Sequence, residues 1–301
     1  HLLYFNKVKM SFCSPLAKDQ KQCFDTKDLS VFIEIYNKYF TIKITKPTYR
    51  AINDKLKNTV GDKKHYLWFD YLCQYSTFDE CFKLNNISDT RLLPKKPAEW
   101  YKNKTAWLSN FDIEDVLTHY HKCKKYNYEF IGVFTVDFAV KETNGKCKYY
   151  DNKCIPNIRN NIKNNKKYLG IVTNLDTFDQ GGSHWTSIFI VIDPTLPSYG
   201  IYYYDSGGNG IPKLIMLYIN EVKKQLKELY PTKQCKIRVN KKQFQKTSTE
   251  CGMFAITYQI RWLTKLFKNK NTKEQDVLDN TIMTDKTMIE NRDKIFSPRL
   301  V

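Results

Sequence analysis

The residues with most chemical potential fall between Gln243 and Arg261, QFQKTSTECGMFAITYQIR. Cys251 and Gly252 open an apolar stretch at helical spacing, where Phe254, Ile256, Tyr258, Ile260 and Trp262 are interleaved with small Ala255 and Thr257. A cysteine at a helix start feels the positive end of the aligned peptide dipoles, which favours its thiolate. Gln245 stands six residues earlier. Its side-chain amide, with the backbone amides of the helix start, offers the donors a developing oxyanion needs. The stretch therefore reads as a nucleophile with half of its oxyanion hole. A cysteine opening an apolar helix is more often a small buried residue. The spacing to Gln245 and the following Gly252 turn the reading towards catalysis.

A base and its orienter lie upstream. In GGSHWTSIFIVID, His184 precedes Trp185 and leads a β-branched and aromatic run, Thr186 to Asp193, that reads as a strand. GIYYYDSGGNGIP ends a second strand at Asp205 and turns through Ser206-Gly207-Gly208-Asn209-Gly210. The chain order is thus His184, Asp205, Gln245, Cys251. In such a set the imidazole takes the thiol proton, the carboxylate fixes the imidazole tautomer, and Gln245 donates to the oxyanion. Of the five histidines only His184 heads a strand beside a glycine-rich turn; His119 and His121 sit on a polar helix and are expected at the surface. An Asp before Ser-Gly-Gly is often only a turn cap, but its place after His184 argues for the orienting role. Asp176 and Asp179 are expected in loops, as substitutes should Asp205 point away.

His-Trp, a strand ending in Asp-Ser, and Gln-x5-Cys-Gly together resemble the ubiquitin-like-protein proteases (the SUMO-specific cysteine proteases) and the adenovirus-type proteases. Within that superfamily the chain is most similar to the African swine fever virus-type polyprotein-processing proteases of large DNA viruses. The resemblance rests on TNLDTFDQGGSHWTSIF, YYYDSGGNGIP, IMLYINEVKKQL, QFQKTSTECGMFAITYQIR and TIMTDKTMIENRDKIF, with a looser match at WLSNFDIEDVLTHY. It spans roughly Thr105 to Phe296. One departure is chemical: the swine-fever type has an amide residue in the third catalytic position, where this chain has Asp205, as in the SUMO-protease type. The resemblance implies cleavage after a small-residue tail of the Gly-Gly type, clamped beneath Trp185. Trp185 and Gly252 are accordingly the candidate substrate-binding residues. A narrow slot suits glycine, because any side chain there would clash.

Composition bounds these readings. The 301 residues suffice for one well-buried domain and a smaller appendage. No run approaches the length of a transmembrane helix, so no membrane partner is expected. The opening HLLYFNKVKM is too short and polar for a signal peptide, and Met10 is a candidate start. Nine cysteines, none in Cys-x2-Cys spacing, predict neither a metal site nor any other cofactor. Cys147 and Cys154 are expected as a reduced, loop-borne pair in a cytosolic protein. The net charge of +18 comes almost wholly from Lys, amid abundant Asn, Ile and Tyr. These residues share A/T-rich codons, so genome composition accounts for the surface, with non-specific nucleic-acid attraction as a by-product.

The elements that must position the site follow from periodicity. Residues 1–104 read as a mainly helical N-terminal region, with apolar residues at helical intervals over Leu29–Phe40 and Lys64–Leu84, and with Arg91–Thr105 as a boundary linker. Residues 105–301 read as the protease core. It opens with a helix capped by Asn110 or Asp112, followed by a strand over Glu129–Phe138 and a polar, low-order insertion over Ala139–Lys167. Strands over Tyr168–Leu175, His184–Asp193 and Gly200–Asp205 come next. A helix over Lys213–Leu229, a strand over Lys236–Asn240, the Cys251 helix and a closing helix over Lys286–Phe296 complete the core. The expected fold is α+β, a papain-like or adenain-like core with a central mixed sheet flanked by helices.

The leading expectation is a cysteine endopeptidase that processes viral structural polyproteins in the host cytoplasm (the virus factory) and the virion. The nearest alternative is a SUMO- or ubiquitin-like-protein isopeptidase with the same chemistry. A nucleic-acid-binding protein on a protease-like fold is the alternative of another class, and the intact Cys/His/Asp/Gln set argues against it. Acetyltransferases sharing the triad would need an acyl-CoA site, for which the chain carries no specific signal.

Overall fold

The computed structural model describes residues 12–17, 22–247 and 249–298; Met10 lies outside them. The chain divides into two compact units, residues 1–102 with 292–301 and residues 103–291. Among the described residues no helix is long and apolar enough to cross a membrane.

The first unit is helical: α1 (Thr26–Tyr39), α2 (Tyr49–Leu56), α3 (Trp68–Cys73) and α4 (Phe78–Arg91). Asp25 starts α1 with a capping box, its carboxylate accepting the Asp28 N–H while Asp28 accepts the Asp25 N–H. Leu29, Phe32, Ile33 and Tyr36 form the buried stripe of α1. The periodic stretch over Lys64–Leu84 is not one helix. It breaks before Thr77, whose hydroxyl accepts the Glu80 N–H while the Glu80 carboxylate accepts the Thr77 N–H, so a new helix starts there. The expected linker over Arg91–Thr105 is also built in. Leu92 pairs with Cys13, and buried Trp100 carries the Arg292 guanidinium 4.3 Å from its ring centre, with the Phe296 ring at 5.1 Å. Ser297 exchanges backbone hydrogen bonds with Pro94 and Lys96. The closing residues therefore group with the first unit, although sequence reading assigned them to the core.

The second unit contains α5 (Asn110–Lys122), β1 (Tyr128–Phe134), α6 (Ile158–Lys163), β2 (Tyr168–Asn174), β3 (Trp185–Val191), β4 (Gly200–Asp205), α7 (Lys213–Leu229), β5 (Lys236–Val239), α8 (Cys251–Lys268) and α9 (Glu274–Val277); α10 begins at Asp285. The strands form one mixed sheet in chain order, parallel at β1–β2 and β4–β5 and antiparallel between. This is the α+β core with a central mixed sheet that the sequence predicts. β2 is buried along its whole length, whereas β1 alternates. Helix α8 lies against β3, with Phe189 and Trp262 stacked at 5.2 Å, and α5 packs on α8.

A buried amide sets the seating of α8 on the sheet. Gln259 donates to the Ser187 hydroxyl (2.7 Å) and the Ile188 carbonyl (2.9 Å) and accepts from Tyr128 (3.2 Å). Gly170 leaves room for this network: a Cβ there would lie 1.9 Å from the Tyr128 hydroxyl oxygen.

Several local expectations are corrected. Helix α5 is capped by Ser109, one residue before Asn110, through a reciprocal pair with Asp112. β1 ends at Phe134, and the chain turns through 135–138. The segment 139–167 is ordered, with an antiparallel bridge between Lys141 and Cys147 and the helix α6. Cys147 and Cys154 form a disulfide, because the turn brings their Cα atoms to 5.5 Å. Cys13–Cys23 and Cys73–Cys81 are also paired, in place of the reduced set expected from composition. His119 and His121, expected at the surface, are only partly exposed. His121 Nδ1 accepts the Phe130 N–H, where the β1–β2 register shifts.

Candidate active site

Each functional side chain is placed by the end of an element. His184 sits just before β3, its carbonyl accepting the Leu175 N–H. Asp205 is the last residue of β4, paired in register with Thr186, so adjacent strands deliver the two side chains to the same end of the sheet. Cys251 is the first residue of α8, and its predecessor Glu250 gives the helix no side-chain cap. The amides of this first turn carry the positive end of the helix dipole, which favours an anion.

His184 Nε2 lies 2.7 Å from Asp205 Oδ1, and the Cys251 thiol is near enough to act on the charge of the ring. Asp205 is completely buried. Its Oδ1 also accepts the Gly207 N–H (2.7 Å), and its Oδ2 accepts from Asn209 Nδ2 (2.9 Å). Burial alone would raise the carboxyl pKa, but the hydrogen bonds from His184, Asn209 and Gly207 hold it below the usual range. Burial likewise works against the imidazolium. Hydrogen bonding to Asp205 and Cys251, with their charges, outweighs it and pushes His184 up to about 9. The ring is therefore a cation at neutral pH, which is the state that pairs with a thiolate. Asp176 and Asp179 do not substitute for Asp205: they accept the Ser183 and Thr177 hydroxyls.

Gln245 is buried on the loop between β5 and α8. Its Oε1 accepts from the Ser206 hydroxyl at 2.6 Å, and its Nε2 donates to the Thr247 carbonyl at 2.6 Å. The loop is tied to the acid by Asn240, whose Nδ2 donates to the Asp205 carbonyl (2.7 Å). It also runs close under the turn after β4. Gly208 has φ +80°, and a Cβ there would meet the Gln243 nitrogen at 2.9 Å, so only glycine fits both demands.

Trp185 and Gly252 meet at a residue that sequence reading passed over. The indole N–H of Trp185 donates to the Leu108 carbonyl at 3.0 Å. A Cβ on Gly252 would lie 3.1 Å from Leu108 Cβ and Cδ1 and 3.3 Å from Trp185 Cδ1. Leu108 therefore forms a wall beside Gly252 and the start of α8, flanked in sequence by the exposed aromatics Trp107 and Phe111. Its signal was the weak match WLSNF, where an apolar pair precedes a helix cap. Ser206 was visible only as part of a turn.

Among the described residues, Cys13, Cys23 and His65 are grouped as metal ligands would be, with ligand atoms within 4.8 Å of one another. The two sulfurs are joined in a disulfide and are not thiolate donors.

Fold and site together define a cysteine protease. No family model matches the chain, but individual relatives do. It is 25% identical over 272 residues to "Putative thiol protease R355" of Acanthamoeba polyphaga mimivirus, covering 84% of this chain and 85% of that protein. It is 26% identical over 168 residues to a cysteine protease of African swine fever virus, covering 52% of this chain and 58% of that protein's length. A third relative, 26% identical over 171 residues, is named a SUMO-1 cysteine protease and comes from another isolate of that virus, again with 52% of this chain and 58% of that protein covered. A crystal structure of the African swine fever virus protease superposes with a TM-score of 0.61 at 19% identity, over 96% of each chain, which establishes the shared fold.

Proposed function

We propose that this chain is an endopeptidase that cuts after Gly-Gly-type sequences in a viral structural polyprotein, acting in the host cytoplasm and the maturing virion. The observation that carries the reading is the His184 imidazole bonded to the buried Asp205 carboxylate, with Cys251 at the start of α8 acting on its charge. The reacting form is the one in which His184 carries the proton and the Cys251 sulfur is deprotonated. The sulfur attacks the scissile carbonyl carbon, and the carbonyl electron pair moves onto oxygen. The Cys251 backbone N–H and the Gln245 amide donate to that oxyanion. As the tetrahedral species collapses, the C–N bond breaks and His184 gives its proton to the leaving amine. Neutral His184 then takes a proton from water, whose oxygen attacks the thioester. Release of the acid restores the thiolate and the imidazolium.

The Gly-Gly preference rests on the tight packing of Leu108, Trp185 and Gly252, together with the kinship to viral proteases. The second reading is an isopeptidase acting on a SUMO-like protein. The relative named a SUMO-1 cysteine protease favours it, and the chemistry is the same. Attraction to nucleic acid is unspecific and follows from the net charge of +18.

The test is incubation of wild type and Cys251→Ala with Gly-Gly-X peptides, a candidate polyprotein and folded ubiquitin-like precursors. Polyprotein and peptide cleavage by wild type alone supports the endopeptidase. Efficient cleavage of only the folded precursors selects the isopeptidase. Cleavage by the alanine variant removes both.

A further inference from the structure

Ser206 stands between the triad and the oxyanion donor and contacts both by position. It directly follows Asp205, is 1% exposed, and its hydroxyl donates to Gln245 Oε1 at 2.6 Å. Its own carbonyl accepts two backbone N–H groups from the facing loop, those of Phe244 (2.8 Å) and Gln245 (3.0 Å). The Ser206 main chain therefore holds the Gln245 main chain, and the Ser206 side chain holds the Gln245 side chain.

The hydrogen-bond pattern permits one orientation of the amide. On its far side Gln245 faces the Thr247 carbonyl at 2.6 Å. A carbonyl can only accept, so the nitrogen must face Thr247 and the oxygen must face Ser206. Thr247 is itself held, since its hydroxyl donates to Asp285 Oδ1 at 3.0 Å. Asp285 Oδ2 accepts the neighbouring Lys246 N–H, also at 3.0 Å. One N–H of Gln245 is thereby used, and the second is the one that the oxyanion reading assigns to substrate. Without the Ser206 hydroxyl the buried Oε1 loses its donor, and the amide gains rotational freedom about its last bond.

We propose that Ser206 is a positioning residue for catalysis. Its hydroxyl locks the Gln245 amide with one N–H presented to the oxyanion, and links that donor to the strand end that carries Asp205. This rests on the reading of Gln245 as an oxyanion donor. A donor aligned in advance costs no reorganisation when charge develops, so the benefit falls on the transition state rather than on substrate binding.

The test is a double-mutant cycle on Gly-Gly peptide cleavage with Ser206→Ala, Gln245→Ala and the pair. Gln245→Ala should lower kcat roughly a hundredfold. Ser206→Ala should lower kcat roughly tenfold with KM within about twofold, because its backbone clamp persists and only amide alignment is lost. In the Gln245→Ala background, Ser206→Ala should cost less than about twofold. Ser206→Thr, which keeps the hydroxyl, should recover most of the loss, and thermal melting of every variant should show a folded protein. A Ser206→Ala effect that repeats in full without Gln245, or its absence beside a large Gln245 effect, overturns the role of Ser206. A silent Gln245→Ala overturns the oxyanion reading itself.

Discussion

The indole N–H of Trp185 donates to the backbone carbonyl of Leu108, 77 residues away in sequence, and Gly252 lies beneath both. Three segments distant along the chain thus share one small volume beside Cys251. Gly252→Ala places a methyl 3.1 Å from Leu108 and 3.3 Å from Trp185. Overpacking of this kind costs about 1–3 kcal/mol. We expect kcat/KM on Gly-Gly peptides to fall roughly tenfold to a hundredfold. Combining it with Leu108→Ala should restore part of the loss, since the methyl then has space. Steady-state kinetics on the single and double variants check both.

The substrate position next to the cut should be equally restricted. Replacing its glycine by alanine should cost about the same tenfold to hundredfold, and leucine should block cleavage. Trp185→Ala should lower the rate on Gly-Gly peptides while narrowing the gap between glycine and alanine. A peptide series read by mass spectrometry decides this. Equal cleavage of glycine and leucine sites would show that the slot does not select.

Cys251 should be the thiol alkylated first. Six of the nine cysteines are in disulfides, leaving Cys123, Cys235 and Cys251 as thiols. Burial pushes Cys235 up to about 11 and also raises Cys123, so both are poor nucleophiles near neutral pH. Cys251 has the His184 cation beside it. Iodoacetamide at pH 7 should modify Cys251 and abolish cleavage before the other two react, as peptide mapping would record. Cys251→Ser should be inactive with its melting temperature within a few degrees of wild type.

The pH profile should reflect the raised His184 pKa. With a folded value of about 9 against an ordinary 6.5, the ring keeps its proton across neutral pH. Its stabilising interactions are fully present below pH 6.5 and fade as pH rises through about 9. Activity should therefore fall on the alkaline side near pH 9, where His184 can no longer protonate the leaving amine. Asp205→Asn removes the facing carboxylate. It should move that limb down by about one to three pH units and lower the rate on the order of a hundredfold, with Asp205→Ala worse. An alkaline limb that stays in place in Asp205→Asn would separate the carboxylate from the titration.

The sequence alone determined the order of strands and helices in the core, because apolar periods of 2 and 3.6 are properties of short stretches. It also marked the candidate residues, since His184, Asp205 and Cys251 stand at element ends that local turn and helix signals reveal. Tertiary structure decided whatever depended on partners far along the chain. Ser206 meets Gln245 across 39 residues, Leu108 meets Trp185 across 77, and no local pattern encodes either distance. The same holds for the cysteines. Cysteine number and spacing suggested reduced thiols, but Cys147 and Cys154 are paired because a turn and a short bridge carry their backbones together. Local residue types set which groups can react or pack. The closing of the chain on itself selects, among many compatible neighbours, the one each group touches.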